Sequence, residues 1–214
     1  MSRITGIRTG RRTRERLNMY IDGQFAFSLE AEQVARQGLR VGQELSVEEM
    51  AALGRMERRG RCLDAAARLL AYRPRSEHEL RERLRRRSFD DDSIESVISR
   101  LKDQGIVDDI AFARFWQESR TVFSPRSRWL IALELGRKGV APEIIDEVLG
   151  QADDTENAYR AAMGKARKMA ALDYDTFRQR LGEFLKRRGF GYQVIRSTTK
   201  RLWEERETPD RAVE

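Results

Sequence analysis

The sequence predicts a mainly α fold, in which tandem three-helix repeats form an elongated array behind a small N-terminal antiparallel β-sheet or hairpin module. Three observations predict it. Apolar residues alternate with period two up to Leu29 and recur at about 3.6 from Arg61 onward. The helical pattern repeats at an offset of 51 residues and then of 50. Charged residues make up 36% of the 214 positions and apolar ones 40%, a surface-rich balance that suits a row of small cores. The expected organisation is a β-rich module with a linking helix over 1–60, repeats over 61–105, 106–152 and 153–206, and a flexible tail over 207–214 containing Pro209.

The first sixty residues read as strands. Ile4 to Ile7 is short and β-branched, and Gly10-Arg11-Arg12 reads as a polar turn. Leu17, Met19 and Ile21 share one face, as do Phe25, Phe27 and Leu29, and Asp22-Gly23 between them is a strong hairpin signal. About three strands follow from this. Glu30 to Gln37 predicts a short helix stopped by Gly38, and Leu39 to Leu45 a brief extended segment. Ser46-x-x-Glu49 is a capping box opening a helix with Met50, Leu53 and Met56, and Arg55 to Arg61 reads as a charged connector.

The first repeat opens with a helix face of Leu63, Ala66, Ala67 and Leu70, which Pro74 ends. Ser76-x-x-Glu79 starts a second helix with Leu80 and Leu84 buried. Asp92-x-x-Glu95 caps a third whose stripe is Ile94, Val97, Ile98 and Leu101, and Gly105 stops it. At offset 51, Leu80, Leu84, Phe89 and Ile94 fall on Ile131, Leu135, Val140 and Ile145; a further 50 places them on Leu181, Leu185, Phe190 and Ile195. Arg87-Ser88 falls on Lys138-Gly139 and then on Arg188-Gly189. Trp116, Trp129 and Trp203, with Phe112, Phe115 and Phe123, are expected to fill cores between helices, with nucleobase stacking as the alternative role for such rings.

Net charge is +7, distributed as +3 over 1–60, +2 over 61–105, −3 over 106–155 and +5 over 156–214. A polyanionic partner or an acidic protein surface fits this better than uniform coating of nucleic acid. Cys62 stands alone, which excludes an internal disulfide or Cys-based zinc site, and it is expected as an inert, packed or half-exposed thiol. The sole histidine, His78, lies about 160° around its helix from Leu80 and is expected in solvent. No apolar run spans a membrane and no apolar segment follows the N-terminal arginines, so a cytoplasmic protein without membrane contact is expected. Asp90-Asp91-Asp92, Asp108-Asp109 and Asp153-Asp154 resemble metal-ligand clusters, yet each precedes a predicted helix, where carboxylates cap amides. With no phosphate-binding glycine motif either, the chain reads as a non-enzyme without metal or cofactor.

The remaining signal is basic. Around Leu80, Arg81, Arg85 and Arg86 point outward, although Glu77–Arg81, Glu79–Arg83 and Glu82–Arg86 are spaced as i,i+4 ion pairs that absorb part of the charge. Lys186-Arg187-Arg188 repeats the feature and Arg137-Lys138 gives a weaker version. These eight residues, Arg81, Arg85, Arg86, Arg137, Lys138, Lys186, Arg187 and Arg188, are the contact candidates; a purely solvated face is the alternative.

Arg73-Pro74-Arg75-Ser76-Glu77-x-Glu79-Leu80, Leu101-x-x-x-Gly105-Ile106-Val107-Asp108-Asp109-x-x-Phe112-Ala113, Arg120, and Glu134-Leu135-x-x-Lys138-Gly139-Val140 together resemble the RecX family of RecA regulators. The resemblance covers roughly 61–205, with the N-terminal module similar to an extension some members carry, and it is weakest in the third repeat. It implies a curved array of repeats that lodges in the groove of the RecA–DNA filament and inhibits recombination, ATP hydrolysis and coprotease function in DNA repair and the SOS response. The expected partners are therefore the RecA filament and single- or double-stranded DNA, met by a monomer. Two other classes stay open: a helical-repeat nucleic-acid-binding regulator acting without RecA, and a metal-dependent nuclease using Asp108 and Asp109.

Overall fold

The computed structural model describes residues 2–9, 16–150 and 153–207, and among these it has four strands and ten helices, the fourth strand lying between the first two helices. The Gly10-Arg11-Arg12 turn and the expected tail beyond Glu207 lie outside the described residues. Residues 1–75 with 79–107 form one compact unit, and 76–78 with 108–214 a second.

In the first unit, β1 (Ser2–Thr9), β2 (Arg16–Ile21), β3 (Gln24–Glu30) and β4 (Glu44–Leu45) form an antiparallel sheet in the order β3-β2-β1-β4. The expected three strands become four because the end of the Leu39–Leu45 segment pairs with β1. Asp22 and Gly23 both take positive φ, 51° and 84°, as a two-residue hairpin turn requires. One face differs from expectation. The β2–β3 register shifts after Met19↔Phe27, so Tyr20 pairs with Phe25 and Ala26 is the extra residue. A single bulge reverses every side chain beyond it. Phe25 is therefore 57% exposed and meets Tyr20 edge-on at 6.1 Å, while Met19, Ile21 and Leu29 are buried with Ile4, Val34, Leu45 and Leu53.

The short helix α1 (Ala31–Arg36) ends at Gly38 with φ 59°. The second helix, α2 (Val47–Tyr72), is one continuous rod of 26 residues. Ser46 and Glu49 form both arms of the expected capping box. The charged connector over Arg55–Arg61 does not exist: Arg, Glu and Met are good helix formers, and helix continues through Gly54 and Gly60. The buried face also differs from expectation, with Cys62, Ala65, Ala66 and Leu69 inward and Ala67 exposed.

Against that face pack α3 (Glu77–Arg85), through Leu80 and Leu84, and α4 (Asp91–Asp103), through Ile94, Val97, Ile98 and Leu101. Leu80 and Leu84 are fully buried, each stabilising the fold by about 1.5–3 kcal/mol. Asp90, rather than Asp92, caps α4 by accepting from the Ser93 amide at 2.8 Å. Gly105, φ 66°, ends the helix as expected.

The second unit holds two further helix triplets. The first is α5 (Asp109–Phe123), α6 (Arg128–Gly136) and α7 (Pro142–Leu149), around Phe112, Ile131, Leu135, Val140, Ile145 and Leu149. The second is α8 (Asp154–Arg167), α9 (Tyr174–Lys186) and α10 (Tyr192–Glu207), around Ala158, Ala162, Phe177, Leu181, Leu185 and Phe190. The apolar positions matched by sliding the sequence occupy equivalent places in all three triplets.

Candidate partner-binding surface

Each triplet carries the same turn after its second helix. Arg86, Arg137 and Arg187 each donate their amide to the carbonyl four residues back, at 3.1 Å in all three cases. One residue further, Arg87, Lys138 and Arg188 bond back to Leu84, Leu135 and Leu185 at 2.9 Å. Ser88, Gly139 and Gly189 follow with φ 62°, 74° and 85°, and Phe89, Val140 and Phe190 turn inward. Arg137 and Arg187 share φ −64° and ψ −17°. A basic run and a left-handed residue thus form one local structure three times, since a helix ending in αL geometry satisfies its last carbonyls.

The eight candidates separate by what they touch. Arg81 is bonded to Glu95 at 2.5 Å, and Arg85 to Asp91 at 2.9 Å and Glu82 at 3.2 Å. Those acids raise the Arg85 pKa, chiefly through the Asp91 hydrogen bond. The expected pairing of Glu82 with Arg86 is replaced by Glu82 with Arg85, and Glu79 takes Arg73 and Arg75 instead of Arg83. The Lys138 ammonium lies 4.2 Å from the Trp116 ring centroid, and the Arg188 guanidinium 4.0 Å from that of Phe184. Burial lowers the Arg188 pKa, with Arg187 adding to the effect. Arg86, Arg137, Lys186 and Arg187 are exposed and make no ion pair among the described residues.

Beside the second turn lies a charge network that the sequence did not reveal. The Glu134 carboxylate accepts from Trp116 Nε1 at 2.8 Å, from Arg120 Nε at 2.7 Å, and from Arg126. Arg120 also stacks on the Trp116 ring at 4.5 Å. Burial lowers the pKa of both Arg120 and Arg126. Three partners on one half-buried carboxylate make this a rigid structural cluster.

The aspartate pairs divide their work. Asp108 and Asp153 cap their own helices, each accepting two backbone amides, as expected. Asp109 Oδ1 instead accepts from the Glu77 amide at 2.8 Å, and Asp154 Oδ1 from the Arg128 amide at 2.7 Å. The same two helix starts reach the basic turns: Ser76 Oγ donates to the Lys138 carbonyl at 2.5 Å, and the Ser127 amide to the Arg188 carbonyl at 3.0 Å. Among the described residues no three His, Cys, Asp or Glu side chains gather into a metal-holding group.

Three rings assigned to the core are outside it. Phe123 is 85% exposed and Trp129 65%, whereas Phe112 is buried and Trp116 and Trp203 half-buried; Phe115 is also exposed. Trp129 stands on the outer side of α6, its Cε3 3.3 Å from where a Cβ on Gly189 would lie. His78 is exposed, as expected.

Four family models match in register with these elements. They describe a regulatory protein RecX N-terminal domain at residues 2–46, and the first, second and third three-helix domains of RecX at 62–101, 108–149 and 152–198. The regulatory protein RecX of Chlorobaculum tepidum is 38% identical over 138 residues, covering 64% of this chain and 86% of that relative. That of Clostridium botulinum (strain Eklund 17B / Type B) is 27% identical over 205 residues, covering 94% and 96%. A crystal structure of a regulatory protein RecX shares the fold with a TM-score of 0.71 at 22% identity, covering 94% of this chain and all of that one. No helix among the described residues is long and apolar enough to cross a membrane.

Proposed function

The chain belongs to the RecX family of regulatory proteins, and from that premise we propose that it binds the RecA–DNA filament and restrains RecA's recombinase, ATPase and coprotease activities. It acts by binding rather than by catalysis, as a monomer in the cytoplasm, during DNA repair and the SOS response. One observation carries the reading. Arg86, Arg137 and Arg187 hold the same place in three equivalent turns, and all three are exposed and without an ion pair among the described residues. With Lys186 they form the contact set. Arg81, Arg85, Lys138 and Arg188, each engaged by an acid or a ring of the fold, support them. A cation held at the end of a rigid helix meets a phosphate or carboxylate with little ordering left to lose.

The test is ATP hydrolysis by RecA on single-stranded DNA, titrated with this chain below stoichiometry. Inhibition is expected, and its absence at every ratio would remove the reading. Replacing Arg86, Arg137 and Arg187 together by Glu should raise the half-inhibitory concentration by about tenfold or more with helical content unchanged.

A second reading has its own support. Trp129, exposed beside the Arg188-Gly189 turn, suits stacking on an unpaired base, as in nucleic-acid-binding regulators that need no filament. Tight binding to oligothymidylate, lost in Trp129→Ala and with no added effect of RecA, would favour it.

A further inference from the structure

Gly60 lies in the middle of α2 and is buried. Glycine at such a position destabilises a helix by about 1 kcal/mol relative to alanine. Crowding does not demand it, because the nearest atom to an added Cβ would be Glu30 Oε1 at 4.0 Å. Gly60 instead helps line a cavity of about 400 Å³ in the first unit, between α2, α4 and the β3–α1 corner. A longer side chain at 60 would extend into that space. Met56, Leu63 and Val97 supply its apolar lining. Arg55, Arg59 and Arg100 supply its basic rim; all three are exposed and form no ion pair among the described residues. Glu30 also lines it, so the cavity's own charge is about +2 at neutral pH.

We propose that this cavity seats an acidic peptide segment of a protein partner. One apolar side chain would rest against Met56, Leu63 and Val97 while neighbouring carboxylates pair with Arg55, Arg59 and Arg100. A guanidinium fork matches a carboxylate in two parallel hydrogen bonds, and a pocket of a few hundred Å³ with an apolar base and few polar groups is the usual form of a specific site. A nucleic-acid backbone fits less well, since phosphates gain nothing from the apolar lining that Met56, Leu63 and Val97 supply. The proposal deepens the reading of the chain as a protein-binding regulator and rests on it for biological context, but not for its test.

The isotope-labelled full chain is titrated with the peptide acetyl-Asp-Glu-Phe-Glu-Asp-amide and followed by NMR. Controls are the same peptide with Ser for Phe, its Asn/Gln counterpart, and pentathymidylate. Saturable shifts are expected at the Gly60 amide and at the Nε signals of Arg55, Arg59 and Arg100, at least tenfold weaker with each control peptide. Gly60→Leu should abolish them and Gly60→Ala preserve them. The double variant Arg55→Glu/Arg59→Glu, which leaves the cavity's shape intact, should weaken binding at least tenfold. The proposal is overturned by absent shifts, by shifts that survive both Gly60→Leu and the double reversal, or by equal or stronger shifts with pentathymidylate, which would make the cavity a nucleic-acid site. A chain that binds the peptide but leaves RecA uninhibited keeps this inference and loses the filament reading. A chain that inhibits RecA but shows no peptide shift does the reverse.

Discussion

At Ser88, Gly139 and Gly189 the same left-handed turn is built on different residues, and their surroundings explain the difference. A Cβ at Gly139 would lie 2.3 Å from the His78 Cβ, and one at Gly189 2.5 Å from Ser127 Oγ and 2.9 Å from the Leu130 Cβ. Close approach therefore adds to the cost of positive φ at these two places. Ser88 is exposed, so only the backbone conformation opposes its side chain. Gly139→Ala and Gly189→Ala should each destabilise the chain by about 2 kcal/mol or more, while Ser88→Gly should stabilise it by up to about 1 kcal/mol, read from urea midpoints. Cys62 gives a second expected outcome. It is fully buried, and burial, with Asp90 nearby, raises its thiol pKa to about 11. A thiol-specific reagent at pH 8 should therefore label it only after unfolding. Because the folded pKa is raised, the thiol's stabilising contribution is complete below about pH 8.5 and disappears as pH rises through about 11.

Helix starts are where the elements of this fold respond to acid. Asp90 and Asp173 cap α4 and α9, and hydrogen bonds from the Ser93 and Thr176 amides hold their carboxyls below the ordinary value of 3.8. Depressed acids stabilise the fold above their unfolded pKa and lose that contribution as pH falls through the folded one. Asp154 has the opposite sign. Burial raises its pKa despite the hydrogen bond from the Arg128 amide, so its contribution is present at low pH and fades as pH rises through the raised value. Urea unfolding from pH 2 to 7 should show Asp90→Asn and Asp173→Asn flattening the acid limb. Asp154→Asn, whose amide oxygen still accepts from Arg128, should hold or raise stability at pH 7. At this level the sequence was informative wherever a signal was local. Ser46-x-x-Glu49, Asp22-Gly23, Gly105 and the first aspartate of the 108 and 153 pairs all act through residues within four positions. Helix α2 differs from expectation because Gly54 and Gly60 look like breaks, whereas the helix formers around them and the packing of its apolar face carry the helix through.

Across the molecule, the charge pattern and the family motifs carry different kinds of information. A net +7 with a negative stretch in the middle indicates a mixed interface, and many of the arginines that produce the excess are engaged by acids or rings within the fold. Raising salt from 50 to 200 mM should therefore weaken the proposed inhibition of RecA, and the Arg86, Arg137 and Arg187 triple variant should flatten that dependence. The expected list of eight cations was legible as composition, since a basic run recurs after each second helix. The four that are exposed and make no ion pair among the described residues were not. Arg85 and Arg86 are neighbours in sequence, yet one faces Asp91 and the other no acid among the described residues.

The amino-acid sequence already contained the mainly helical class, the N-terminal hairpin, the phase of the three repeats and the family, because periodicity, turn residues and caps act over one or two helical turns and survive without knowledge of what packs where. Contacts between distant segments settled the rest. The bulge at Ala26 sends Phe25 outward, and the second aspartates of two pairs cap helices that begin 32 and 26 residues earlier. Trp129 stands in solvent, and a cavity with three arginines opens beside Gly60. Each of these depends on the free energy of burying or pairing one group against another far along the chain, and no local pattern encodes that partner.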